Sequence, residues 1–419
     1  MSSIALSLPA RGETERTGWH SVGAWMISIS YVLFCISDTM LVLEMDGSQL
    51  VKVCAVVMLC LAIGLRPKFH RQAWLILPLM LSLYVGMWRT FNVSAGLDEL
   101  MRFMVPMGLS VALFAYRKRL SPVVFMFFAV VVSNDIFQCY FYVAYLLKLP
   151  LLIPVRTDSG IYLRAQGWIG FFSVFGFINF CAFILCLHYR PSKQSRRWAW
   201  VFLVFSLLSF SFKIFATLAV YAAVSRRLNI RSILSVLVGL LALVGAYLVG
   251  WLDGLIQVAT TKLSFYVVAG NSARAESYRV MFESLGKWNF LGEGLGSFGG
   301  PASVRYHSPL YSRYHFNWYG LQNTVSTTDT FYPHLFVEMG MIGGVIWLWF
   351  MLSYGQLNRR NRIWMFIVAA FCFDNIFSMS FVSASYVFAA LLLMYLFSAH
   401  RPLSERPSRR TARLTEEIR

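Results

Sequence analysis

Apolar stretches of about 20 residues recur along this chain, and a bilayer is the environment that can accommodate so many. They lie near 22–44, 48–65, 72–88, 99–116, 121–147, 168–188, 232–251, 330–354, 363–379 and 381–399. A further stretch, 198–225, is long for one span and is broken by Lys213, so it reads as two short helices meeting near 209–213 on the far side. The expected fold is therefore an all-α polytopic integral membrane protein with about twelve transmembrane helices. Hydrophobic residues make up 58% of the 419 and charged residues 13%, too few charges to solvate the surface of a soluble domain. The seven cysteines mostly sit inside apolar runs, with neither a CxxC pair nor a Cys/His zinc spacing, and read as small core residues. The first apolar run is too long for a signal peptide and lacks a small-residue cleavage site, so it is expected to stay as a span.

Net charge is +18, from 37 Lys and Arg against 19 Asp and Glu. In a soluble protein that excess would point to nucleic acid; in a membrane protein it reports orientation. With the spans above, 24 of the 37 basic residues fall in one set of loops and in the two ends, among them Arg66, Lys68 and Arg71, the run Arg117–Arg119, Arg226, Arg227 and Arg231, and six Arg after the last span. The positive-inside rule then makes both termini cytoplasmic. The expected organisation is a cytoplasmic N-terminus over 1–21, nine spans over 22–251, a periplasmic loop over 252–329, three spans over 330–399 and a basic cytoplasmic tail over 400–419. No internal repeat is evident.

The remaining basic residues break the rule. Arg89, Arg156, Arg164, Arg274, Arg279, Arg305 and Arg313 lie on the far face with Lys148, Lys262 and Lys287, while Lys52, Arg102 and Lys213 fall in or at the edge of spans. Such residues tend to face a cavity or a partner. Arg offers a planar fork that binds phosphate in bidentate fashion, whereas Lys acts as a point charge, so several far-side Arg suggest an anionic ligand at the outer leaflet. The plainer reading is a self-solvating loop, since the acids of 252–329 nearly balance its bases. Asp38, Asn134, Asp135, Asn179, Asp374 and Asn375 lie within spans; Asp135 is expected to pair with Arg102 or Lys213, a proton relay being the functional alternative.

Two stretches carry a motif. Residues 271–299 read NSARAESYRVMFESLGKWNFLGEGLGSFG: Arg274 opens a helix, Tyr278 and Phe282 supply its apolar face, and Gly294, Gly296 and Phe298 form a glycine-rich turn. An Arg beside a helix N-terminus is a reasonable anion site. Residues 326–344, STTDTFYPHLFVEMGMIGG, contain Glu-x-Gly-x-x-Gly at Glu338. Together they resemble the signature of the O-antigen ligase and Wzy-type polysaccharide polymerase superfamily. Nine residues before Glu338 the ligases have His-Asn, whereas here Asp329 is followed by Thr330, which favours the polymerase branch. Weaker similarities occur at 164–179 and at 209–217, where Lys213 stands in for an Arg.

The resemblance implies glycan transfer from a polyprenyl-pyrophosphate carrier at the periplasmic face of a bacterial inner membrane, building O-antigen or exopolysaccharide from oligosaccharide repeat units. It implies a pyrophosphate site made of Arg274, Lys213 and Arg164, with Arg279 as a looser candidate. Asp329 is the expected base or acceptor-orienting carboxylate, with His334 as the alternative. Glu338 is expected to fix a neighbouring helix and not to touch substrate, and His334 could instead cap the tenth span beside Pro333. No Asp-x-Asp motif lies on the far side, so neither a metal nor a cofactor is expected. The implied partners are the lipid-linked oligosaccharide and membrane lipid, with a chain-length regulator protein as a further option and no nucleic acid. The aromatic residues of 306–319 suit either sugar stacking or the bilayer surface. Alternative readings are a ligase that passes polymer to lipid A core and a flippase for lipid-linked sugar. The flippase reading lacks the paired interrupted helices of inverted repeats.

Overall fold

The computed structural model describes residues 19–43, 45–151, 164–189, 191–225, 272–319, 327, 328, 330–356 and 361–399; among these the chain is helical and contains no strand. In chain order the helices are α1 (Trp19–Val42), α2 (Ser48–Leu65), α3 (Ile76–Trp88), α4 (Val93–Tyr116), α5 (Ser121–Leu146), α6 (Phe172–His188), α7 (Lys193–Leu208) and α8 (Phe212–Ser225). They continue with α9 (Ala273–Gly286), the short α10 (Pro301–Arg305) and α11 (Leu310–Arg313), then α12 (Phe331–Ser353), α13 (Arg362–Ile376) and α14 (Ala384–Ala399). Five of them, α1, α2, α4, α5 and α12, are long and apolar enough to cross a bilayer. The expected ninth span, 232–251, and the first part of the long loop, 252–271, lie outside the described residues.

Local chemistry sets many of the starts. The Asn92 side chain accepts from the amides of Ser94 and Ala95 to cap α4, Asn361 does the same for α13, and Ser272 caps α9 through Ala275 N. The centre is α14: Tyr386 through Phe397 are all buried, as expected for a helix that is apolar on every side. It packs on α1, α4, α6 and α13. Towards the outside, α1, α2, α3 and α5 expose large apolar residues such as Trp25, Leu50, Leu77, Trp88 and Ile136, the surface that acyl chains would solvate.

The stretch 198–225 divides as the sequence suggests, with α7 ending at Leu208 and α8 starting at Phe212. A second interruption was not legible. In α12, Gly340 adopts φ 71°, and the ladder breaks there. Two helical bonds are replaced by bonds to the loop after α9. Met341 N donates to Asn289 O at 3.0 Å and Ile342 N to Phe290 O at 3.2 Å. The carbonyls of Val337 and Glu338 accept instead from Glu293 N at 2.8 Å and Gly294 N at 3.3 Å. Broken helices are tolerated at membrane depth where protein re-satisfies the freed groups, and here the exchange is one for one. A left-handed backbone and the close approach of Phe290 and Gly292 leave no space for a Cβ at 340.

Asp135 has a different partner from those expected. It accepts a hydrogen bond from Asn179 Nδ2 at 3.0 Å, while Arg102 pairs with Glu99 on its own helix and Lys213 with Asp374 at 3.1 Å. Both cations are already taken by nearer acids, Arg102 by Glu99 three residues earlier and Lys213 by Asp374, which leaves Asp135 to the amide of Asn179. Asp38 near the end of α1 accepts from Ser383 Oγ at 2.6 Å and from Ser385 N and Oγ at 3.1 and 2.6 Å, which ties it to the start of α14. Glu99, near the start of α4, meets His334 near the start of α12.

Candidate functional site

The two motif stretches pack against each other. The turn 292–300 is wedged between the α3–α4 connection and the first half of α12: Leu295 N donates to Gly86 O at 2.9 Å, and Thr90 Oγ1 donates to Leu295 O at 2.7 Å. On its other side Phe298 N donates to Glu338 Oε1 at 2.9 Å, and the Phe298 carbonyl lies 2.7 Å from His334 Nδ1. Gly299 has φ 80°, and its missing side chain makes room for the His334 Cβ. The glycine spacing therefore serves a close approach between a loop and a helix.

The approach creates a buried polar cluster. Glu99 and Glu338 are fully buried and His334 is 2% exposed. A carbonyl only accepts, so the Phe298 contact fixes a proton on His334 Nδ1. That aims Nε2 at Glu99 Oε2, 3.4 Å away, while Nδ1 is 3.5 Å from Glu338 Oε1. An imidazole nitrogen and a carboxylate oxygen facing each other attract only if a proton or a small cation lies between them. Phe103 stacks on the imidazole at 5.3 Å with planes 7° apart, which holds the ring in this orientation. Arg102 binds Glu99 Oε1 through Nη1. Oxygens of both acids, Glu99 Oε2 and Glu338 Oε2, are buried without a hydrogen-bond donor. The trio Glu99, His334 and Glu338 can bring one ligand atom each to within 4.8 Å of one another, a donor set that would also suit a small divalent cation.

The remaining sequence-derived candidates are scattered. Asp329 lies outside the described residues. Arg164 donates from Nε to Ser209 O and from Nη2 to Phe210 O, each at 3.1 Å, and lies over the Phe172 ring at 3.5 Å. Lys213 is on the next helical turn and is held by Asp374. These two are thus brought together, at the α7–α8 break. Arg279 is exposed and clamped by Glu276, by Glu283 and by the Tyr314 carbonyl. Lys287, hydrogen-bonded to Glu283, holds that carboxyl below its ordinary range. Arg274 is partly buried on the first turn of α9. His334 is no exposed cap; it is interior. Glu338 fixes a loop, the glycine turn, where a neighbouring helix was expected.

The aromatic residues of 306–319 turn mostly inward. Tyr311 lies 4.7 Å from Trp318 and 5.2 Å from Phe316, with Phe298 5.4 Å from Tyr311. They form a small core between α9 and α12. Gly299 N donates to Tyr311 Oη, and Ser303 Oγ lies 2.7 Å from it; burial pushes that phenol well above its usual range.

Glu99 is the residue that sequence reasoning missed, because an acid at the edge of an apolar run reads as a span boundary. Its signal was the i, i+3 spacing to Arg102, which pairs two charges on one helix face. Among known proteins, no family model matches the chain, and no curated protein is similar enough to count as a relative.

Proposed function

We propose that the chain is a membrane-embedded glycosyltransferase that polymerises polyprenyl-pyrophosphate-linked oligosaccharide repeat units at the periplasmic face of a bacterial inner membrane, with about twelve spans and both termini cytoplasmic. The observation that carries this reading is the docking of the glycine turn 292–300 on the Glu338–Gly340 break, which joins the two motif stretches around a buried Glu–His–Glu cluster. A site for this reaction needs an oriented base and charge stabilisation on the leaving group. The donor's anomeric carbon loses polyprenyl pyrophosphate as an acceptor hydroxyl attacks, and the hydroxyl proton passes to the base. Asp329 is the base or acceptor-orienting carboxylate in this reading, with His334, whose ring is fixed, as the alternative. Arg274 stays in the anion site by its place on the first turn of α9.

The test is incubation of the purified protein with a lipid-linked repeat unit, with chain length read on a gel. A ladder of products is expected. It should be lost in Arg274→Ala and Asp329→Asn, and it should persist in EDTA if the buried trio holds a proton. Full activity of either variant would remove that residue from the mechanism. A single transfer onto lipid A core with no ladder would make the chain a ligase. Accumulation of cytoplasmic repeat units in a deletion strain would make it a flippase.

A further inference from the structure

In the trio Glu99, His334 and Glu338 each side chain has one polar atom engaged and one left over. His334 Nδ1 donates to the Phe298 carbonyl at 2.7 Å, Arg102 Nη1 holds Glu99 Oε1, and Glu338 Oε1 accepts from Phe298 N at 2.9 Å. What remains is His334 Nε2, Glu99 Oε2 and Glu338 Oε2. Both of those oxygens are buried without a hydrogen-bond donor, and Nε2 faces Glu99 Oε2. The residues come from α4 and α12, remote in the chain, so no short motif announces the set.

A proton or a metal ion could lie between these atoms, and distance separates the two. A shared proton makes a charge-assisted N–H···O bond, which closes to about 2.7–2.9 Å. The Nε2 to Oε2 separation is 3.4 Å, and the Phe103 stack together with the Nδ1 contact keeps the ring from tilting closer. A proton there would also leave Glu338 Oε2 with no donor. Two ligands that each lie about 2.0–2.1 Å from a tetrahedral ion are about 3.4 Å apart, the spacing observed. The engaged atoms fit as well: a metal-bound imidazole gives its other N–H to a carbonyl, and ligating carboxylates are themselves hydrogen-bonded. Arg102 and Lys52 face Glu99, whereas among the described residues no Lys or Arg pairs with Glu338, whose buried charge a divalent ion would offset.

We propose that Glu99 Oε2, His334 Nε2 and Glu338 Oε2 bind one divalent transition-metal ion of the zinc type, with a fourth position open to water. A Cβ at Gly300 would run into Glu99 and His334, so that glycine keeps the space beside the ligands clear. The ion fastens α4 and α12 to the glycine turn, because the backbone of Phe298 is the outer partner of two ligands. The site stands apart from the glycosyltransferase reading. Within that reading it engages His334 Nε2 and leaves the base to Asp329.

Metal analysis of the full-length protein, purified in detergent without a histidine tag and stripped with EDTA, tests the site without turnover. Zn²⁺, Mn²⁺ and Mg²⁺ serve as probes. About one zinc per chain is expected to rebind, with a rise in unfolding temperature that EDTA reverses. Co²⁺ in its place should give the visible absorption of a four-coordinate ion. Glu338→Gln keeps an oxygen for Phe298 N, so the turn stays docked while zinc affinity falls by about a hundredfold or more, at least what loss of an outer-shell partner costs. Glu99→Gln should weaken zinc in the same way, and Glu276→Gln, an acid of α9 outside the trio, should bind it as the parent does. Zinc that neither binds nor shifts unfolding would overturn the site and assign the gap to a proton. Unchanged affinity in both Glu338→Gln and Glu99→Gln would place the ion elsewhere and overturn it equally. Stabilisation by Mg²⁺ alone would overturn the nitrogen ligand. Because metal content is read apart from polymerisation, a chain that binds zinc but makes no ladder would refute the enzyme and leave the site standing.

Discussion

At the α7–α8 break, Arg164 spends two nitrogens on the carbonyls of Ser209 and Phe210, and Lys213 is paired with Asp374. At the glycine turn, by contrast, Glu99 and Glu338 each keep an oxygen without a donor, and His334 aims a nitrogen at one of them. Both regions put charge near helix ends of one bundle. The first uses it to close a gap in the backbone, where the carbonyls after Leu208 have no helical donor. The second closes its gap at Gly340 mainly through backbone exchange with residues 289–294, helped by Asn289 Nδ2 on the Val337 carbonyl, without spending an ionisable side chain on the freed carbonyls. A charge inside a membrane protein is thus best judged by what its neighbours' backbone already satisfies.

The largest effect that would sharpen this contrast is expected at Glu338. Glu338→Ala removes the acceptor of Phe298 N and one partner of His334. It should lower stability by about 3–5 kcal/mol, as loss of one partner from a buried charged network does, and cut polymerisation by about a hundredfold or more. Thermal unfolding and the gel assay measure the two. A stable, active variant would mean that the cluster is neither a clasp nor a site.

The Lys213–Asp374 pair should be smaller and repairable. Lys213→Met alone strands a buried carboxylate, at a cost of about 3 kcal/mol, whereas Lys213→Met with Asp374→Asn should recover to within about 1 kcal/mol of the parent. If the double variant folds normally and makes polymer, Lys213 is a fastener. If it folds and makes none, the contrast breaks and Lys213 belongs with the substrate.

The smallest effect is expected at Arg279, exposed and tied to acids of its own helix. Arg279→Ala should change stability by less than about 1 kcal/mol and leave the product ladder unaltered. A shortened ladder would return it to the anion site.

Much of the fold was legible because lipid enforces it. Apolar runs must be helices there, and the interruption at 209–213 announced itself through Lys213. The break at Gly340 did not, since Glu-Met-Gly-Met-Ile-Gly inside an apolar run reads as uninterrupted helix; only the arrival of Asn289 and Phe290 makes the break affordable. Both motif stretches could be found by eye, yet their meeting could not, because about forty residues separate Phe298 from Glu338 in the chain. Asp135 illustrates the opposite failure. Charge alone suggested Arg102 or Lys213 as its mate, but Glu99 and Asp374 hold those two cations, and Asp135 meets Asn179.

By itself, then, the amino-acid order determined a helical chain with apolar runs long enough to cross a membrane, the interruption at 209–213 and the glycine-rich turn before Phe298. Periodicity, length and charge are local properties, and the bilayer converts them directly into structure. Which charges are spent and which are left over was decided only by tertiary packing. Pairing depends on distances between helices that are remote in sequence, and it was the packing of α2, α4, α12 and α14 that put Lys52 beside Arg102 and Glu99 against His334.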